Sequence, residues 1–422
     1  MQKSKRVMDF RRTRTKSLEI ALAALLLSCP VAARDDWPEW RGPGRSGWVS
    51  PAAPASWPDA LKQVWKVDVG EGYASPLVSG ERVFIFSRQG EDEVVSALAV
   101  STGRSLWSHS YPAPYAMNPA AASHGKGPKS TPVLAAGKLY TLGISGIFSC
   151  WDASTGRRFW QKEFGSEFKA TTPLYGVAMS PIVERSVVIA HVGGHGQGAL
   201  VALDGTTGAV KWKWTGDGPG YASPIVAELG GVRQLVTESQ DQLVGVDVSD
   251  GTLLWSVPFS TSYTQNSVTP VLYKDTLIFS GLDKGVLALR PVRRASGFTV
   301  EKVWEAPSVS LYMSSPVLAG DLLFGFSHRN KGQVSCLDAR TGSVLWTSEG
   351  RQGDNAALLT DGSVVFVLTN DASLLIARAI GRGFEVVKKY TVAQSQTWAH
   401  PAVIQDRILI KDHAALTLWA LR

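Results

Sequence analysis

One eleven-residue pattern recurs along the chain and limits the folds open to it. It reads "ALAVSTGRSLW" at 97–107, "CWDASTGRRFW" at 150–160, "ALDGTTGAVKW" at 202–212, "GVDVSDGTLLW" at 245–255 and "CLDARTGSVLW" at 336–346. Glycine holds position seven and tryptophan position eleven each time. A further copy, ending at Trp304, carries "RPVRRASGF" in place of the turn. A second landmark precedes each copy: a proline opening an apolar run, at Pro76, Pro132, Pro181, Pro224, Pro270, Pro316 and Pro401, with a proline-free version in "DNAALLTDGSVVFVL". That makes eight units with a spacing of about 45 residues, the period of a four-stranded propeller blade.

Each unit can be read physically. Proline opens the first strand, where no N–H needs to be donated. Alternating runs such as "DTLIFS" and "DLLFGF" give the second strand. The Asp-x-x-Thr-Gly stretch is a tight turn, with side-chain oxygens for its N–H groups and glycine at positive φ. The fourth strand delivers tryptophan as an apolar plate between neighbouring sheets. The last unit stops after "LTLWALR", its third strand, while "LKQVWKVDV" at 61–69 is a fourth strand with nothing before it. The sequence therefore predicts an all-β, eight-bladed propeller with four antiparallel strands per blade, whose ring is closed by 61–69.

Charge adds little. Of the formal +7, seven basic against two acidic residues fall within 1–33, so the body is close to neutral and offers no case for nucleic acid. That leader has a basic start, the apolar run "LEIALAALLLS" and "VAA" at 31–33. It reads as an export signal cleaved after Ala33, or alternatively as a lipoprotein signal acylated on Cys29. The expected organisation is a signal peptide at 1–33, a tryptophan-rich arm at 34–56 and the propeller at 57–422. The location is then periplasmic or cell-envelope, and the protein a monomer. Beyond Cys29 only Cys150 and Cys336 remain, read as small buried core residues.

The eleven-residue motif resembles the tryptophan-docking repeat of the pyrroloquinoline quinone (PQQ) propeller superfamily, from about Trp57 to Arg422. "WPEWRGPGRSG" together with "SHGKGPKSTP" is similar to exported, planctomycete-type bacterial members. The superfamily holds quinoprotein dehydrogenases and also a scaffold of outer-membrane β-barrel assembly. The resemblance thus implies either a non-catalytic scaffold or an oxidoreductase of alcohols or sugars using PQQ and calcium. The adjacent cysteine pair of many such dehydrogenases is missing here.

In a propeller, residues before the first strands and after the second strands are expected at one end of the channel. The first group includes Tyr73, Lys129, Met179, Tyr221, Asn266, Ser267, Tyr312, Asn355, Trp398 and His400. The second includes Arg88, His191, Glu238, Gln240, Asp283, His328, Arg329 and His413. From these, Arg88, Lys129, Glu238, Gln240, Arg329 and Trp398 are the candidates for holding a flat or anionic ligand. Under the quinoprotein alternative, Glu238, Asn266 and Asp283 would hold calcium and Asp283 would act as base. No zinc, haem, P-loop or triad motif is present. The leading expectation is a non-catalytic propeller that binds an envelope protein, a peptide or a small ligand on its loop face, without cofactor. The alternatives are a PQQ-dependent dehydrogenase and an outer-membrane assembly scaffold. The arm "DWPEWRGPGRSGW" is expected to clamp over the seam where the ring closes, with a role in ligand recognition as the alternative.

Overall fold

The computed structural model describes residues 36–50, 53–54 and 56–422. The leader at 1–33, with Ala33 and Cys29, lies outside the described residues. Eight four-stranded antiparallel sheets follow one another, seven of them with their strands in chain order from the axis outward. They cover 77–112, 133–162, 182–214, 225–258, 271–306, 317–347, 356–391 and 402–420, and are numbered here as blades 1 to 8. Blade 8 has three strands of its own. Its fourth is Lys62–Asp68, paired antiparallel to Ala415–Ala420. The ring closes as the repeat count predicts. Among the described residues only short 3-10 turns interrupt the strands, and no helix is long and apolar enough to cross a membrane.

The repeat is a lock between blades. The tryptophan of one blade lies on the turn of the next, and its indole N–H donates to the carbonyl that follows the turn's Asp position. Trp107 reaches Ala153 at 3.2 Å, Trp160 reaches Gly205 at 3.3 Å, Trp212 reaches Val248 at 2.9 Å and Trp304 reaches Ala339 at 3.0 Å. The position-seven glycine faces that indole. A Cβ at Gly156 or Gly251 would lie 2.5 or 2.4 Å from the ring, and both glycines have positive φ. Two demands thus fall on one residue. Trp255 is the exception. Blade 5 replaces the turn with a long hairpin, Val286–Arg294 and Gly297–Ala306, so the Trp255 indole turns back to Gln234 at 2.7 Å.

The landmark before the first strand forms a second belt, close to the axis. The Ser75 N–H donates to the Thr131 hydroxyl, Thr131 to Ser180, Ser180 to Ser223, and Thr269 to Ser315, each at 3.0 Å. The hydroxyl residue ahead of the proline thus ties a blade to its neighbour at four places in the ring. Apolar side chains fill the space between sheets, as Phe324 and Cys336 of blade 6 do against Leu358 and Val365 of blade 7. Cys150 and Cys336 are buried and free, in blades 2 and 6. Burial pushes both thiols up to about 12, far from reactive thiolates.

The arm departs from expectation. It runs across the face opposite the first-strand entries and sends its middle into the axis. Asp36 accepts from the Ser79 hydroxyl and the Gly80 N–H at 2.8 and 2.9 Å. Trp37 pairs with Val78 of blade 1, and the Leu134 N–H of blade 2 donates to Pro38. Arg45 donates to Ser180 and Pro224 at 3.1 and 3.0 Å and also to Pro181, in blades 3 and 4. Trp40 donates to Thr269 of blade 5 at 2.9 Å and packs on His400 of blade 8, ring centroids 4.4 Å apart. Arg41 donates to Pro316 of blade 6, and the Val49 N–H donates to Thr360 of blade 7. All eight blades are touched, not only the seam. Prolines that open strands leave carbonyls aimed at the axis, and two guanidinium groups collect them.

Candidate functional site

At the other end of the axis lies an open bowl of about 250 Å³. Its floor is Trp40. Its wall comes from the segments entering the first strands: Tyr73, Lys129, Tyr175, Tyr221, Ser267, Tyr312, Asn355 and Trp398. The 3-10 turn Pro119–His124, in the connection between blades 1 and 2, adds Ala120, Ala121 and His124.

The tyrosines are held from behind. Tyr73 pairs with His413 Nδ1 at 3.3 Å. The Tyr221 hydroxyl accepts from the Tyr175 N–H at 3.2 Å and meets His195 at 3.3 Å. The Tyr312 hydroxyl donates to Gln265 at 2.7 Å. Burial raises the pKa of Tyr73 to about 12 and also raises those of Tyr221 and Tyr312, so all three stay neutral. Trp398 meets His124 edge to face at 4.5 Å. Among the described residues Lys129 is the one cation of the lining, and it donates to the Tyr175 carbonyl at 2.8 Å. Burial brings it down to about 8, while burial and then Lys129 bring His124 down to about 4. Among the described residues no carboxylate lines the bowl.

Of the six ligand candidates, Lys129 and Trp398 reach this bowl. Arg88 folds back on its own hairpin, donating to Gly90 at 2.9 Å and Ala113 at 3.0 Å. Gln240 is spent on the Gly196 N–H and Asp241, and Arg329 on the Ser308 carbonyl. Glu238 is sealed in the core with neither carboxylate oxygen hydrogen-bonded, and burial raises its pKa well above the usual range. The proposed calcium ligands sit in unlike settings. The Asn266 amide donates to the carbonyls of Ser239, Gln240 and Phe259. Asp283 is an exposed turn residue, 3.7 Å from both His328 and Arg329. Among the described residues no three His, Cys, Asp or Glu side chains gather as for a metal. The residues after the second strands thus form a tier behind the rim and not its surface. Sequence reasoning passed over Tyr175 and Gln265, and assigned Trp40 to an arm over the seam. Tyr175 stands six residues before its proline, outside the register of Tyr73 and Tyr221.

A family model described as outer membrane protein assembly factor BamB, of the PQQ-like repeat type, matches residues 59–126 and 91–348. The chain belongs to this PQQ-like propeller family. Two relatives carry the name outer membrane protein assembly factor BamB. The protein of Shewanella oneidensis is 22% identical over 67% of this chain and 71% of its own length. That of Yersinia pestis is 26% identical over 58% and 62%. The crystal structure of BamB from Moraxella catarrhalis superposes with a TM-score of 0.62 at 16% identity, covering 86% of this chain and 98% of that one. Quinohemoprotein alcohol dehydrogenase from Comamonas testosteroni gives 0.67 at 15%, covering 92% and 81%. At such identities these two likenesses speak for the PQQ-like fold alone.

Proposed function

We propose that the chain is a non-catalytic scaffold of the cell envelope that binds proteins of outer-membrane assembly, the role named for its relatives. One observation carries this reading: among the described residues, no carboxylate lines the bowl at the propeller axis. A quinoprotein site needs convergent oxygen ligands for a cation and an acid or base beside the substrate. A tryptophan floor is present in Trp40, but Glu238, Asn266 and Asp283 do not supply the rest. The residues do not fit PQQ and calcium. The repeat itself offers contact surface: beside each tryptophan slot the outer strand leaves an apolar residue exposed, among them Leu106, Phe159, Val303 and Val386.

The test has two arms. Purified protein is mixed with PQQ and calcium, and its absorption spectrum and dye-linked oxidation of alcohols and sugars are followed. In cells, a photoreactive residue replaces Leu106 or Phe159, and crosslinked partners are identified by mass spectrometry. The expected result is no quinone-dependent oxidation and capture of an outer-membrane assembly component. Quinone-dependent dye reduction overturns the reading.

A further inference from the structure

We propose that the bowl is a binding site for a small planar aromatic monocarboxylate, seated with its carboxylate on Lys129 and its ring between the tyrosine plates. This goes beyond the scaffold reading and does not depend on it. The bowl is a preorganised aromatic box. Its tyrosine hydroxyls are anchored behind the rim, by His413, by the Tyr175 N–H and by Gln265, so the rings present fixed faces and edges inward. Trp40 is pinned from below by Thr269 and His400. Rings held in this way stack on a flat ligand without losing further side-chain entropy.

An aromatic box alone also suits a quaternary ammonium, through the negative faces of its rings. Lys129 reverses that sign. Its ammonium has three donors, of which one is used on the Tyr175 carbonyl, and burial alone perturbs it, with no described carboxylate paired to it. Its neighbour His124 is neutral at pH 7, because burial and Lys129 hold it down at about 4. A part-buried cation without a counter-ion repels a second cation and rewards an anion that brings its own charge. One cation matches one carboxylate, and the volume of about 250 Å³ suits one or two fused rings. A polyanionic quinone would leave further carboxylates unmatched.

The experiment titrates 2-naphthoate, the neutral 2-naphthamide and tetramethylammonium into the purified full chain by calorimetry at pH 7. The expected result is saturable one-to-one binding of naphthoate, about tenfold or more tighter than the amide. Lys129→Met should bring naphthoate to the level of the amide and leave the amide unchanged. Absence of saturable naphthoate binding, equal binding of acid and amide, or a preference for tetramethylammonium overturns the proposal. The comparison of acid with amide on the unaltered chain decides even if the variant fails to fold. Crosslinking to assembly components is read separately, so either outcome leaves the scaffold reading to its own test.

Discussion

The indole of Trp65 lies against Gly103, where a Cβ would fall 2.9 Å from the ring, and donates to the Val100 carbonyl at 2.7 Å. Trp65 sits on the strand that enters blade 8 from the N-terminal side, and Gly103 in the turn of blade 1. The lock that joins blades 1 to 2, 2 to 3, 3 to 4, 5 to 6 and 6 to 7 here joins the two ends of the chain. Gly103→Val should break it twice, by driving a branched side chain into the indole and by straining a φ of 71°. The expected loss is about 2–4 kcal/mol in calorimetric unfolding. The same change at Gly297, which also has positive φ but meets nothing, should cost only the backbone share.

The two axial arginines should behave differently. Arg45 is 2% exposed, pairs with Glu39 at 2.8 Å and serves three carbonyls. Arg45→Met strands those groups and should cost about 3–5 kcal/mol. Arg41 is fully buried, yet its Nε and Nη1 have no protein partner, and burial alone lowers its pKa to about 9. Arg41→Met removes a desolvated charge along with its bond to Pro316. Its effect should stay within about 1 kcal/mol in either direction. Equal losses in denaturant unfolding would contradict this division.

Acid should loosen the turns. Asp152, Asp204 and Asp338 are held down at about 2: Asp152 first by the Ser154 hydroxyl, Asp204 by the Thr207 N–H, Asp338 by the Arg340 side chain. A carboxylate depressed in the folded state stabilises fully above its unfolded value near 4, and loses that contribution as pH falls toward 2. The unfolding midpoint should therefore drop between pH 4 and pH 2. Replacing all three by Asn should flatten that drop, and an unchanged slope would show that other groups control acid stability.

Glu238 should show the opposite sign. Burial raises its pKa, so keeping it in the core becomes costly once pH exceeds the unfolded value near 4.5. Glu238→Gln should stabilise at pH 7, with a gain that shrinks as pH falls below 4.5. A loss at pH 7, read in the same unfolding assay, would mean the carboxylate has a partner that matters.

The ring was legible in the sequence because the repeat writes its register directly: proline, two alternating strands, turn, glycine, tryptophan. The missing fourth strand of blade 8 and the lone strand at 61–69 predicted closure for the same reason. The carbonyl that each indole finds was not legible, since it belongs to the next blade, and only the closed ring brings the two within reach. Half of the bowl could be read, because first-strand entries face the axis. The residues after the second strands could not, because Arg88 is consumed by a local bond to Gly90 and Gln240 by Gly196 of the neighbouring blade, and neither bond leaves a periodic mark. The arm was misplaced over the seam for a related reason. Its Gly/Pro frame has no period, and arginine is ordinarily a surface residue. What holds Arg41 and Arg45 is a set of carbonyls from Ser180, Pro181, Pro224 and Pro316, contributed by three separate blades.

Hydrogen exchange of the unaltered full chain, followed by mass spectrometry over residues 36–49, asks whether the chain closes its own axis with the arm. The amides of Trp37 and Val49, bonded into blades 1 and 7, should exchange as slowly as those of the inner strand Ala356–Thr360. Exchange of the whole segment within seconds, while that strand stays protected, would contradict an axis sealed by Trp40, Arg41 and Arg45.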